Sequence, residues 1–213
     1  DALAQEHGIP LIIDNAYGMP FPNIIYSDVT LNWHENIILC FSLSKIGLPG
    51  VRTGIIVAAP EVVKAVSSLN AIVNLSPTRF GAAIAAPLLN DGRLKQLADE
   101  VIQPFYRQQA QTAVSLLKRE LGAYPLKIHK PEGAIFLWLW FENLPVSSQT
   151  LYEMLKAEGT LIIPGEHFFV GIDTQDYPHA GECIRMSIAQ DAETLEKGIA
   201  AIGRVVRGLY DKK

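Results

Sequence analysis

Apolar residues along the chain follow two rhythms. Short runs rich in β-branched residues predict strands, and stretches where apolar side chains recur every three or four positions predict helices. IPLIID (9–14) and NIILCFS (36–42) are continuous apolar runs of the kind that forms strands buried on both faces. VRTGIIVAA (51–59) predicts a third strand. Between them NAYGMPFPN (15–23) and SKIGLPG (44–50) carry too much Gly and Pro to continue a strand. PEVVKAVSSLNAIV (60–73) opens with Pro at the first helical position and Glu in the first turn, both helix-start signals. PTRFGAAIAAPLLN (77–90) predicts a second helix, with small residues suited to close packing. The opening DALAQEHG reads as the tail of an amphipathic helix closed by Gly8, as if the chain were cut from inside a longer protein. Strands joined by loops and helices rather than tight hairpins predict an α/β layer on a largely parallel sheet.

The pattern changes near Asp91. Residues 92–121 keep helical spacing through Leu94, Leu97, Ala98, Val101, Ile102, Ala113, Leu116 and Leu117, with Pro104 placed to kink or restart the helix. LKIHK (126–130) and AIFLWLWF (134–141) predict two strands around the turn PEG. A helix (148–158), a strand TLIIP (160–164), a polar loop to about 181, a strand ECIRMSIA (182–189) and a final helix (191–210) follow. This second part reads as an α+β unit, with the boundary in or near the long helix, around 90–110.

Composition narrows the classes. The 213 residues amount to one large domain or one and a half at about 150 residues each. With 49% hydrophobic and 19% charged residues the chain is not of the disordered type. A net charge of −4, from 18 basic and 22 acidic residues, argues against an electrostatic binder of nucleic acid or anionic membranes. No apolar stretch approaches the 18 or so residues of a membrane span. Two cysteines, Cys40 and Cys183, form no disulfide framework, and in apolar runs they read as reduced and packed, as in the cytosol.

Three segments carry candidate chemistry. Ser42-Leu43-Ser44-Lys45-Ile46-Gly47-Leu48-Pro49-Gly50-Val51-Arg52 sets two hydroxyls, an amine and a guanidinium at the end of a predicted strand. Strand ends are where open α/β sheets hold ligands, and hydroxyls with an Arg fork suit a phosphate. Desolvation and a neighbouring cation both favour a neutral, nucleophilic lysine. Asp14, directly after the first strand, would sit at a depth where a carboxylate needs a cationic partner, and Tyr17 follows three residues later. Arg185 lies within the apolar strand ECIRMSIA, where its fork matches a carboxylate. Strand alternation puts Ile184, Met186 and Ile188 on one face and Arg185 and Ser187 on the other, so an edge-strand arginine facing water is the competing reading. Each segment taken alone also fits a plain surface turn or packing role.

Together, D-x-A-Y at 14–17, S-x-S-K at 42–45 followed by G-L-P-G-x-R, and R-x-S at 185–187 resemble, in order, the aspartate-aminotransferase fold (fold type I) of pyridoxal-phosphate enzymes. PEGAIFLW and TLIIPG resemble that family's small domain, and IPLIIDNAYG, SLSKIGLPGVRTG and NWHENIILCFS are closest in wording to its bacterial valine–pyruvate branch. The resemblance implies an α/β fold: residues 1–95 as the C-terminal part of a cofactor-binding large domain on a mostly parallel sheet, and 96–213 as a small α+β domain. It implies pyridoxal 5'-phosphate as cofactor and transfer of an amino group between an aliphatic amino acid and a 2-oxo acid such as pyruvate. It implies that Lys45 holds the cofactor as an internal aldimine and moves a proton, that Asp14 pairs with the ring nitrogen, and that Tyr17 bonds the phenolic oxygen. Ser42, Ser44 and Arg52 would hold the phosphate, and Arg185 the substrate α-carboxylate. A homodimer is implied too. The Lys45-to-Arg52 spacing is one residue shorter than in many members, and the family's N-terminal half has no counterpart here. A complete site is therefore not expected from these residues alone.

Other readings compete. Ser42-x-x-Lys45 matches the S-x-x-K of serine acyl-transfer enzymes, with Arg52-Thr53-Gly54 as a weak K-T-G, but GLPG follows where a helix is needed and S-D-N is missing. His167, His179 and Cys183 could be zinc ligands, at a spacing that fits no usual pattern, so no metal is expected. His34 and His129 read as surface residues. An aminotransferase-like ligand-sensing domain of a transcription regulator, or a lyase on the same fold, stays open. Trp138/Trp140, Phe168-Phe169 and Met19-Pro20-Phe21 could line a side-chain pocket, with core packing the simpler reading for the tryptophans.

Overall fold

The structure is a computed structural model that describes residues 1–75, 78–172 and 176–212. The chain divides into two compact units, Asp1–Pro104 and Phe105–Lys213.

In the first unit a short helix α1 (Ala2–Glu6) leads to strand β1 (Leu11–Asp14), with Gly8 in the left-handed region between them. β2 (Ile37–Ser42) lies beside β1 in parallel, with Leu11 opposite Ile37 and Asp14 opposite Cys40. β3 (Gly54–Val57) pairs with β2 antiparallel, Ser42 opposite Gly54. The three-stranded sheet is thus mixed, with one parallel and one antiparallel pairing. The connection 43–53 explains this: it holds only two 3₁₀ turns, Leu43–Ile46 and Pro49–Val51. A parallel crossover needs about a dozen residues or more, usually a helix.

Helix α2 (Pro60–Asn74) starts at Pro60 as expected, and α3 (Phe80–Asn90) follows; the predicted start of that second helix at 77 lies outside the described residues. The small residues of α3 do pack closely. A Cβ on Gly81 would stand 2.1 Å from the Thr53 hydroxyl oxygen, so this turn of helix rests against the start of β3. The core of the unit gathers Phe21, Ile37, Leu39, Phe41, Leu43 and Leu94, with Leu11 and Ile13 packed against it. Burial on both faces of β1 is not what the structure shows. Ile12 is 66% exposed and Asp14 is exposed, because no layer of described residues covers that face. Leu69 and Ile72 of α2 are open as well.

The long helical stretch is real but subdivided: α4 (Arg93–Leu97), a π-helical turn Ala98–Ile102, and α5 (Gln103–Leu121). Pro104 cannot donate to the carbonyl behind it, and the wider turn sits immediately ahead of it.

The second unit is a four-stranded sheet with helices. β4 (Leu126–Ile128), β5 (Phe136–Phe141), β6 (Ile163–Pro164) and β7 (Cys183–Ser187) lie in the order β4-β5-β7-β6, all neighbours antiparallel. Helices α6 (Ser148–Ala157), α7 (Pro178–Glu182) and α8 (Ala192–Tyr210) complete it, with a 3₁₀ turn at Gly165–Phe168. Leu137, Leu139 and Phe141 point into the core with Ile184 and Met186. Each such side chain contributes about 1.5–3 kcal/mol when fully buried. Trp138 and Trp140 alternate with these leucines and are only half-buried, so the simpler reading of them as core residues does not hold.

Asp191 caps α8. Its carboxylate accepts from the Thr194 hydroxyl at 2.6 Å and from the Thr194 N–H at 2.9 Å, and these two bonds hold its pKa below the ordinary Asp value. A carboxyl depressed in the folded state stabilises it above the unfolded pKa and loses that contribution as pH falls through the folded value. Thermal unfolding recorded between neutral and acid pH should therefore fall less steeply on acidification in Asp191→Asn than in the parent. Equal slopes would remove Asp191 as a source of acid sensitivity.

Candidate active site

Parallel strands end on the same edge of their sheet, and an antiparallel neighbour begins there. In the first unit this brings the C-terminal ends of β1 and β2 and the start of β3 together. Asn15 N–H donates to the Cys40 carbonyl at 2.8 Å and Leu43 N–H to the Thr53 carbonyl at 3.2 Å, so the ladder continues past Asp14 and Ser42 into the loops. Asp14, Ser42 and Arg52 thus issue from one edge, although they lie up to 38 positions apart along the chain.

Ser42 caps the turn Leu43–Ile46: its Oγ accepts the Ser44 N–H at 3.2 Å, which leaves its own proton free to be donated. The turn carries Ser44 and Lys45, and Gly47, with φ 96°, ends it. Lys45 is half-buried, and its Nζ lies 5.6 Å from the centre of the Tyr17 ring. The sequence left Tyr17 merely three residues beyond Asp14; the fold sets it against the amine. Arg52 has φ 46°, in the left-handed region, is exposed, and one Nη donates to the Pro49 carbonyl at 3.4 Å.

Asp14 differs from expectation. It is exposed and not buried to a depth that demands a cation, and its Oδ1 accepts the Ala16 N–H at 3.2 Å. The carboxylate is fixed in direction by its own loop. The edge so gathers a carboxylate, a phenol, an amine, two hydroxyls and a guanidinium.

Arg185 belongs to the second unit. The reading of it as an edge-strand residue facing water is corrected by the strand order: β7 runs between β5 and β6. Arg185 is half-buried opposite Trp138, and its Nε is buried with no hydrogen-bond partner among the described residues. It enters no salt bridge among them. Beside it opens a cavity of about 270 Å³ lined by His129, Lys130, Glu132, Phe136 and Trp138. An unsatisfied buried donor costs about 1–3 kcal/mol, which sets this arginine apart from the paired arginines of the unit, Arg119, Arg204 and Arg207.

The aromatic residues Phe136 and Phe168 lie against Arg185, at 4.2 and 4.8 Å from ring centre to Cζ. Sequence reasoning noted Phe168 as a pocket candidate and missed Phe136. Alternation places Phe136 on one face with Trp138, but only the register with β7 shows that this is the arginine's face. His179 Nε2 approaches the Cys183 sulfur at 3.5 Å, while His167 is exposed. Burial pushes the Cys183 thiol up to about 11, away from the thiolate a zinc ligand must be. His129 is exposed; His34 is half-buried and pairs with Asp1 at 2.8 Å.

No helix among the described residues is long and apolar enough to cross a membrane. Comparison with known proteins shows the family. Valine–pyruvate aminotransferase of Escherichia coli (strain K12) is 46% identical over 206 residues, covering 97% of this chain and 49% of that protein. A crystal structure from Psychrobacter arcticum 273-4 matches with a TM-score of 0.96 and 68% identity, over 100% of this chain and 48% of that one. That of valine–pyruvate aminotransferase from Salmonella typhimurium LT2 matches with a TM-score of 0.92 and 43% identity, over 100% and 55%. The chain thus spans about half the length of the proteins it matches. The family model of aminotransferase class I and II covers residues 1–202, and with the ordered motifs at Asp14, Lys45, Arg52 and Arg185 it follows that the chain belongs to the class I and II aminotransferases.

Proposed function

We propose that the protein carrying this chain is a pyridoxal-phosphate-dependent aminotransferase that exchanges an amino group between an aliphatic amino acid of the valine or alanine type and a 2-oxo acid such as pyruvate. The observation that carries this reading is the convergence of Lys45 with Asp14, Tyr17, Ser42, Ser44 and Arg52 on one sheet edge. The 46% identity to the E. coli valine–pyruvate enzyme supports the substrate class.

The donor set fits the cofactor. Ser42 accepts the Ser44 N–H and keeps its own proton for a phosphate oxygen; Ser44 and the Arg52 fork add further donors. Asp14, whose Oδ1 accepts the Ala16 N–H, would keep a ring nitrogen protonated. Tyr17 offers its hydroxyl to the ring's phenolic oxygen. Lys45 is the point of covalent attachment. Bound pyridoxal phosphate supplies a conjugated ring that takes up the electrons of a weakened Cα–H bond. Lys45 Nζ would take the proton from the substrate Cα and deliver it to the cofactor carbon bonded to the substrate nitrogen, so that the proton lost at one carbon is gained at the other. Arg185 would meet the α-carboxylate, and a residue that grips that group favours a reaction in which it is kept, transamination over decarboxylation.

The reading extends to a homodimer, and to the cytosol, where the two free cysteines would stay reduced. On the complete gene product, borohydride reduction followed by digestion and mass spectrometry should place a pyridoxyl group on the Lys45 peptide, and Lys45→Ala should abolish it together with the visible absorbance. A cofactor-containing protein with an unmodified Lys45 peptide would sink the assignment. Sedimentation velocity on the same preparation reads the dimer. For substrate class, a panel of amino donors against pyruvate should rank valine and other aliphatic donors above acidic ones. A preference for aspartate or glutamate would overturn the aliphatic reading.

A further inference from the structure

Arg185 receives two rings from two different elements. Phe136 comes from β5, opposite Ser187 in the ladder. Phe168 comes from the turn Gly165–Phe168. Trp138, opposite Arg185, stands edge-on to Phe168 with ring centres 5.2 Å apart and planes at 89°. The turn is seated by Gly165. A Cβ there would lie 2.6 Å from both the Cβ and the carbonyl oxygen of Cys183, so only glycine lets the turn press onto β7 close enough to deliver Phe168 to the arginine.

A guanidinium has weakly hydrated faces and a donor-rich edge. A ring against a face removes water and limits rotation while consuming no N–H. Here both rings stand within 4.8 Å of Cζ, and the buried Nε has no hydrogen-bond partner among the described residues, so its N–H stays available for a planar partner. Ordering the arginine in advance lowers what a ligand must spend on ordering it.

We propose that Phe136 and Phe168 are positioning residues, which hold the Arg185 guanidinium for a two-pronged, in-plane grip on the carboxylate shared by amino-acid and 2-oxo-acid substrates. This rests on the reading of Arg185 given above. It differs from a wall that selects side chains, because the shared carboxylate makes both half-reactions feel the rings equally.

The test uses the complete, cofactor-loaded gene product and 3-methylbutanoate, an unreactive carboxylate with valine's carbon skeleton, by calorimetry. Phe168→Leu and Phe136→Leu should each weaken binding about tenfold, the scale of a partly desolvated cation–π contact. Phe168→Tyr, which keeps a ring, should rescue it. KM for amino donor and for 2-oxo acceptor should rise by the same factor, with kcat held within about twofold. Thermal unfolding is recorded for each variant; Phe168 is 43% exposed, so its replacement leaves the core untouched, and Phe136→Leu repeats the test from the other element. Unchanged binding in the leucine variants, a KM change confined to one substrate, or no binding of 3-methylbutanoate to the parent would overturn the proposal. The pyridoxyl adduct on Lys45 separates the two levels. With the adduct present and binding unchanged, only the role of the rings fails; without it, the aminotransferase reading itself fails.

Discussion

Two strands that run parallel must finish at the same edge of their sheet, and β1 and β2 do so with Asp14 set against Cys40. Much of the first unit's chemistry depends on that pairing. The third strand returns antiparallel from Gly54 and brings Arg52 back to the place Ser42 left. Had the connection been long enough for a crossover helix, β3 would have started at the opposite edge, and Arg52 with it. The eleven residues from Leu43 to Thr53 are both the reason for the reversal and the bearers of Ser44 and Lys45. The loop is short enough to be held at both ends by the ladder and rigid enough, with its two 3₁₀ turns, to give the amine a defined neighbour in Tyr17.

The second unit solves a different problem: how to keep a cation inside a sheet. β7 has partners on both sides, so Arg185 cannot turn to water at an edge. One face of the sheet is filled by Leu137, Leu139, Ile184 and Met186. The other carries Phe136, Trp138 and Trp140, with Phe168, Phe169 and Tyr177 arriving from the turns and loops and His179 from α7. Aromatic rings can cover a guanidinium without competing for its N–H groups, which aliphatic or amide side chains do less well.

Much of the architecture was legible because its signals are local. Pro60 and Glu61 begin a helix wherever they stand, and Pro104 disturbs one. The strands were found as apolar runs, though each is shorter than its run. What the sequence does not carry is coverage and register. Ile12 and Leu11 are equally apolar, and nothing in their order says that one is packed and the other open. The same gap misplaced Asp14, whose depth depends on what overlies β1. Trp138 alternates with core leucines in a way that periodicity reports only as two faces, without naming which is wet. Arg185 needed the strand order to be removed from an edge, and Phe136 needed the register to be seen beside it. The chemistry-bearing residues of the first unit were all visible as a motif, because their types and spacing are unusual; their common edge became visible only through the pairing of three strands.

Arg52 holds its backbone at φ 46°, ψ 48°, a conformation that costs an L-residue roughly 1–2 kcal/mol and glycine almost nothing. The loop around it already uses Gly47, Gly50 and Gly54, so glycine is the residue this stretch otherwise favours. An arginine at this point sets conformational ease against charge. A library screened only for heat resistance would drift toward glycine here and discard the guanidinium with the strain. With Arg52 holding the cofactor phosphate as proposed, a library screened for turnover would keep the arginine and tolerate the strained backbone. Stabilising this fold by backbone relaxation therefore has one position where the gain and the purpose of the site pull in opposite directions.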